Sequence, residues 1–63
     1  MSDFIIQNEG SIVLFRPLNE AAREHIEGNV QDDAQWFGGA LVVEHRYAND
    51  LIEALMQEGF TIE

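Results

Sequence analysis

Hydrophobic residues are grouped in short runs at the start of the chain and recur at helical spacing further on. Two runs of β-branched and aromatic residues, 4–7 and 12–15, flank the segment 8–11, which contains an Asn and a Gly. These two residue types readily adopt the positive φ that a tight connection between strands needs. The pattern predicts a β-hairpin.

A first helix is predicted over about Asn19 to Glu27. Pro17 should end the second strand, and Asn19 has the side chain of an N-cap residue. The apolar positions that follow helical spacing are Leu18, Ala22, Ile26 and Val30. Gly28 or Asn29 is expected to end the helix in the left-handed conformation.

The second half of the chain predicts a loop, a strand and a helix. A polar loop over 31–35 precedes Trp36-Phe37-Gly38-Gly39, where the glycine pair is expected to form a bulge before a third strand over 40–44. The helix that follows has its apolar face at Ala48, Leu51, Ile52, Leu55 and Met56. Gly59 should end it, and 60–62 is expected to add a short strand parallel to the third.

These elements predict one domain over residues 1–63, an α/β (α+β) fold with the order ββαβα(β). The expected architecture is a two-layer sandwich of a small mixed sheet and two helices. The strand runs are continuously apolar, so both faces of the sheet should be hydrophobic. The helices could cover both faces, or share one and leave the other for a partner such as a second copy of the chain.

The net charge of the sequence says more about its binding partners than any motif does. Twelve Asp and Glu residues stand against three Arg and no Lys, which leaves a formal net charge of −9. Proteins that bind nucleic acid or anionic lipid supply Lys and Arg to replace counterions. Direct nucleic-acid binding is therefore excluded, and a basic protein surface is the expected partner. The alternative is that the acidity only keeps the chain soluble.

The cellular compartment is inferred from three features that the sequence lacks: cysteine, a long apolar run and a basic N-terminal region. There is no cysteine, which favours a reducing compartment. The longest uninterrupted apolar run, 40–43, is far shorter than the roughly 20 residues that cross a membrane, and the N-terminus has no basic region typical of a signal peptide. We expect a cytoplasmic protein without membrane association.

No catalytic, cofactor or metal site is predicted, and we expect a protein that is not an enzyme. The hydroxyl side chains lie outside nucleophile and phosphate-loop motifs. The two histidines, His25 and His45, do not have the spacing of a ligand pair, and His25 is expected on the solvated side of the first helix. One alternative assembles a metal site in space, and its ligands would be Asp32, Asp33, Glu44 and His45.

Glu20, Glu24 and Glu27 fall at i, i+4 and i+7, which places three carboxylates in a row on one helix face. Such a row is comparable with a strand of phosphates and suits a basic groove that binds DNA. Arg23 can neutralise part of the row. The alternative is an ordinary solvated helix face.

The segment from Glu44 to Tyr47 joins a strand to a helix, where open α/β sheets tend to place ligands. Arg46 could hold an anion, with His45 and Tyr47 as further ligand-binding residues. The alternative is that Arg46 pairs with Glu44 or Asp50 while Tyr47 packs against the core.

Trp36 and Phe37 are interpreted either as core residues or as an exposed aromatic anchor of the kind that dominates binding interfaces. Core packing is the favoured interpretation. If Trp36 is instead an anchor, the neighbouring Asp32 and Asp33 would give it an acidic rim that suits a basic groove.

The segment DAQWFGGALVVEHRY (33–47), together with SIVLFRP (11–17), resembles small acidic uncharacterised proteins of phages and bacteria. In size, charge and lack of catalytic residues the chain is also similar to phage inhibitors of host defence, namely anti-CRISPR and anti-restriction proteins, several of which imitate DNA. This resemblance implies a non-enzymatic inhibitor that occupies a basic nucleic-acid-binding groove. The alternatives are a small-ligand or metal-binding module at the 44–47 turn and an accessory structural subunit.

Overall fold

The computed structural model describes residues 2–30 and 33–63. The elements are β1 (Phe4–Asn8), β2 (Ile12–Pro17), α1 (Glu20–Gly28), β3 (Trp36–Phe37), β4 (Ala40–Glu44) and α2 (His45–Gln57). The four strands form one antiparallel sheet in the order β1-β2-β4-β3. The predicted α+β fold of a small sheet with two helices is confirmed.

The predicted N-terminal hairpin is present as β1 and β2. Its register runs from Phe4 opposite Pro17 to Asn8 opposite Val13. In the connection, the backbone N–H of Gly10 donates to Oδ1 of Asn8 over 2.8 Å. The strand β2 ends at Pro17 as predicted, because proline has no N–H with which to continue the ladder.

The glycine pair forms a turn rather than a bulge, so this part of the prediction was wrong. Phe37 pairs with Ala40, and the two residues between them, Gly38 and Gly39, have φ angles of +57° and +85°. Positive φ at both central residues is the requirement of a type I′ turn, which joins adjacent antiparallel strands. The chain therefore contains an additional strand, β3, that the predicted element order lacked.

The helix α1 begins as predicted and ends differently. Oδ1 of the N-cap residue Asn19 accepts a hydrogen bond from the N–H of Ala22 over 2.8 Å. At the other end, Asn29 has a φ of −117°, and Gly28 also stays outside the left-handed region. The predicted left-handed ending was wrong because Nδ2 of Asn29 donates to the carbonyl of His25 over 2.7 Å and satisfies the last turn by a side-chain bond.

The helix α2 starts directly after β4, so the segment 45–47 is its first turn rather than a separate connection. Its end is the one predicted: Gly59 has a φ of +95° and donates to the carbonyl of Met56. The N–H of Phe60 donates to the carbonyl of Leu55, which completes a Schellman motif.

The C-terminal segment does not lie beside β4, contrary to the prediction. It forms a parallel bridge between Ile62 and Phe4 at the outer edge of β1. The position next to β4 is closed, since β2 and β3 already occupy both of its edges. Backbone hydrogen bonds join the segment to β1, among them those from the N–H of Glu63 to the carbonyl of Phe4 and from the N–H of Ile6 to the carbonyl of Glu63. The ring of Phe60 also packs edge-on against that of Phe4 at 5.5 Å, and the N–H of Thr61 donates to the carboxylate of Asp3.

The hydrophobic core lies between one face of the sheet and both helices. The register places Phe4, Val13, Phe15 and Leu41 on this face, where they meet buried residues of the two helices. The helical members of the core are Ala22, Ile26, Ala48 and Leu55. Of the two predicted arrangements, the helices thus adopt the one in which they share a face.

Candidate functional site

The outward side of the two helices carries five exposed carboxylates, which we call the acidic helix surface. In α1, Ala22 and Ile26 are buried, so residues about half a turn away from them face outward. In α2 the same argument applies to positions opposite Ala48 and Leu55. The acidic helix surface consists of Glu20, Glu24, Glu27, Asp50 and Glu53, all exposed.

Three of these residues were singled out from the sequence, and two were missed. Glu20, Glu24 and Glu27 follow each other along α1 with a rise of about 4.5–6 Å between neighbours. Asp50 and Glu53 are spaced by i, i+3 on α2, and this spacing was the signal that could have found them. Because both helices lie on one side of the sheet, these carboxylates belong to one surface.

The three arginines of the chain are each engaged by a group of the same chain. Arg23 lies 4.0 Å from Glu27, and Arg46 lies 3.2 Å from Glu44. Nη1 of Arg16 donates to the carbonyl of Gly38 over 2.6 Å. With no lysine in the sequence, most of the negative charge of the helix surface remains without a cationic neighbour.

The turn from Glu44 to Tyr47 is arranged around Arg46. Its guanidinium pairs with Glu44 and stacks over the ring of Tyr47, 5.0 Å from the centroid. The predicted pairing of Arg46 with Glu44 is confirmed, whereas Tyr47 is exposed rather than packed in the core. An anion at this turn would have to compete with a carboxylate that is already beside the guanidinium, so the geometry favours the internal pairing.

A groove of about 610 Å³ opens beside this turn. Most of its lining is apolar and includes Val30, Leu41 and Leu51, and the acidic residues Asp33 and Glu44 also line it. Within residues 2–30 and 33–63, no group of three His, Cys, Asp or Glu side chains is close enough together to hold a metal ion. Asp32, the remaining residue of the metal alternative and a predicted partner contact, lies outside the described residues.

The interpretation of Trp36 and Phe37 as core residues was wrong. Trp36 is 40% exposed and Phe37 is 67% exposed. They form the short edge strand β3, where Trp36 pairs with Leu41 on the helix side of the sheet and Phe37 pairs with Ala40 on the other. Both residues lie at this sheet edge and line one groove together with Leu14 and Val42.

His25 also differs from its predicted position. The residue is half-buried, and its ring packs against that of Phe60 with 4.8 Å between centroids and a tilt of 51°. Phe60 in turn packs against Phe4 of β1. His25 thus belongs to the contact between α1 and the C-terminal segment rather than to the acidic helix surface.

A small hydrogen-bonded cluster around Asp3 joins the start of α1 to the C-terminal segment. Oδ2 of Asp3 accepts from the N–H of Thr61 over 2.9 Å, and Oδ1 accepts from Nδ2 of Asn19 over 2.7 Å. The hydrogen bond from Thr61, with a further contribution from Asn19, lowers the pKa of Asp3 below its ordinary value of 3.8. This cluster was not predicted, because it depends on residues 16 and 58 positions apart.

Comparison of the chain with protein-family models, curated proteins and solved structures found no match. Neither helix of the described structure has the length and apolar character that a membrane crossing requires.

Proposed function

We propose that the protein is a non-catalytic binding module whose acidic helix surface contacts a basic surface of another protein. The observation that carries the proposal is the engagement of all three arginines by groups of the same chain, beside a helix layer that carries five exposed carboxylates. Such a surface attracts a cationic partner and accelerates encounter with it.

The partner chemistry that fits best is a basic groove that binds nucleic acid. Glu20, Glu24 and Glu27 are spaced by about 4.5–6 Å along α1, and the phosphates of a DNA strand are spaced by about 3.4 Å along the axis. The two rows have comparable charge density. The protein would act by occupying the groove in place of nucleic acid, and this is the activity implied by the resemblance to phage inhibitors of host defence.

Two further features belong to the same proposal. Asp33 is exposed and lines the groove beside α2, and Trp36 is exposed at the sheet edge; both are part of the candidate contact surface. The absence of cysteine is consistent with action in the reducing cytoplasm.

The proposal is tested with a labelled deca-arginine peptide as the cationic probe, measured by fluorescence anisotropy at low and physiological salt. The test variant is Glu20→Lys with Glu24→Lys, and the control is Glu58→Lys with Glu63→Lys, which changes the net charge equally at exposed positions outside the acidic helix surface. Each exposed ion pair contributes about 0.2–1 kcal/mol. The loss of two pairs should therefore weaken binding by about twofold to thirtyfold.

The control should lose clearly less affinity than the helix variant, and binding by the wild-type protein should weaken as salt rises. Equal losses in the two variants would mean that only net charge matters. That result, or binding that is insensitive to salt, would overturn the assignment of the helix surface.

A further inference from the structure

The face of the sheet that points away from the helices is the second surface of the molecule, and we call it the open sheet face. Directly paired residues of antiparallel strands lie on the same side of a sheet. The pairs Ile5–Arg16, Gln7–Leu14 and Leu14–Val42 therefore define this face, and Phe37 and Ala40 extend it at β3 and β4. The pair Ile12–Glu44 completes it at the start of β2, where Glu44 is already paired with Arg46.

Most of this face is apolar, and it includes a groove of about 510 Å³ between the β1–β2 connection and β3. The groove has Ile12, Leu14 and Val42 along it and Phe37 at its edge. Phe37 is 67% exposed, so a large apolar ring stands at the border of the face.

The two ends of the face carry opposite charges. At one end of β2 lies Arg16, which uses one of its five N–H donors on the carbonyl of Gly38. At the other end lies Glu9, which lines the groove and accepts a hydrogen bond of 2.6 Å from Nε2 of Gln7, a residue of the same face. The distance from Ile12 to Arg16 along β2 is about 13 Å.

We propose that the open sheet face binds a second copy of this chain, with the two β2 strands antiparallel across the interface. A two-fold axis that lies in the interface, perpendicular to the strands, brings the Arg16 end of each copy onto the Glu9 end of the other. One pair of unlike charges on a single chain thus becomes two complementary contacts in the dimer. The alternative axis, parallel to the strands, would place Arg16 against Arg16.

The large net charge does not oppose this arrangement, because it is carried mainly elsewhere. Packed sheets lie about 10 Å apart, and each helix layer adds roughly another 10 Å. The two acidic helix surfaces would point outward, about 30 Å apart. This is well beyond the Debye length of about 8 Å at physiological salt, so their repulsion is largely screened.

The size of the face predicts a weak dimer. Three strands of five or six residues and the two-residue strand β3 fit within roughly 19 by 17 Å, so the face has at most about 300 Å² of flat area. Stable complexes bury about 800 Å² on each partner. We therefore expect a dissociation constant of about 10–1000 μM. The dimer is independent of the acidic helix surface, and its failure would leave the proposed function in place.

The test is sedimentation equilibrium of the wild-type protein from about 10 μM to 2 mM at physiological salt, where repulsion between the acidic helix surfaces is screened. The mass should rise from that of one 7.1 kDa chain towards that of two. Phe37→Lys, at a side chain that is exposed in the monomer, should keep the chain monomeric. Glu24→Lys on the helix surface is the control that should dimerise like the wild type.

A mixing experiment tests the orientation of the two copies. R16E alone and E9R alone place like charges at both contacts, so each should associate at least about tenfold more weakly than the wild type. An equimolar mixture of the two restores unlike charges at both contacts and should dimerise again. A variant that merely fails to fold cannot produce this recovery.

Three results would overturn the proposal. They are a wild-type protein that remains monomeric at 2 mM, a mixture that does not recover dimerisation, and an assembly that grows beyond two copies.

Discussion

Replacing Asn19 by alanine removes two hydrogen bonds at the start of α1. Oδ1 of Asn19 accepts from the N–H of Ala22 over 2.8 Å, and Nδ2 donates to Oδ1 of Asp3 over 2.7 Å. The first bond caps the helix. The second ties the cap to the carboxylate that holds the C-terminal segment through Thr61.

The size of the effect follows mainly from the cap. Loss of an N-cap side chain costs about 1 kcal/mol, and the acceptor bond of Asn19 has a short distance and a part-buried partner. A domain of 60–100 residues loses about 4–8 °C in Tm for each kcal/mol. We therefore expect Asn19→Ala to unfold about 4–8 °C below the wild type. The bond to Asp3 is exposed, so it should add little to this value.

The assay is thermal and urea denaturation followed by circular dichroism at pH 7. Asn19→Ser is the matched control, since serine keeps the capping oxygen but lacks the donor to Asp3. It should stay within about 0.5 kcal/mol of the wild type. If Asn19→Ala is as stable as the wild type, the cap does not stabilise α1. If Asn19→Ser is as unstable as Asn19→Ala, the bond to Asp3 is the important one.

Three other predictions use the same denaturation assay. Asp3→Asn should destabilise the fold at pH 7. The difference from the wild type should begin to shrink as pH falls below 3.8 and largely disappear below the lowered folded-state pKa, because the carboxylate is protonated first in the unfolded chain and then in the folded one. A difference that stays constant from pH 7 to pH 3 would contradict this. Gly39→Ala, at a φ of +85°, should lower the free energy of unfolding by about 1–2 kcal/mol. The control Gly28→Ala, at the end of α1, should leave the stability unchanged or raise it. Equal effects of the two substitutions would argue against the type I′ turn. Arg46→Ala should change the free energy of unfolding by less than about 0.5 kcal/mol, because its ion pair is exposed, and a larger loss would show that the pair stabilises the start of α2.

The local features of the fold were predictable because each depends on neighbouring residues. The segment 8–11 predicts a hairpin, Asn19 has the side chain of an N-cap residue, and Gly59 occupies the C′ position of a Schellman motif. The glycine pair was misread because two residues of β3 are too few to show the alternation of a strand. Glycine is typical of both a β-bulge and a tight turn, so the residue type alone does not distinguish the two.

The arrangement of the elements could not be predicted in the same way. The C-terminal segment pairs with β1 through contacts such as Asp3 with Thr61, which are distant in sequence and leave no periodic pattern. The apolar strand runs also did not decide which sheet face the helices would cover. Arg16 directly follows one of these apolar runs, and its side chain lies on the open sheet face, where it reaches the carbonyl of Gly38.

The candidate surfaces were predictable only in part. The spacing of Glu20, Glu24 and Glu27 was sufficient to place them on one outward side of α1. The exposure of Trp36 and Phe37 was not, since large aromatic residues are more often buried than exposed. The sequence alone does not show that Glu9 and Arg16, which have opposite charges, lie at the two ends of one sheet face. This placement follows from the pairing of β1 with β2 and the hydrogen bond between Gln7 and Glu9.

The placement of both helices on one side of the sheet has a consequence for how tightly a repetitive target is held. A pair of chains joined through their open sheet faces would be a bivalent particle with an acidic surface at each end. Once one acidic surface is bound, the second surface binds the same target intramolecularly, at a high effective concentration. The avidity for a basic polymer or a symmetric target can therefore exceed the affinity of a single surface by about 10²–10⁴. A single chain, with its one acidic layer, would release the same target at the rate of a single contact.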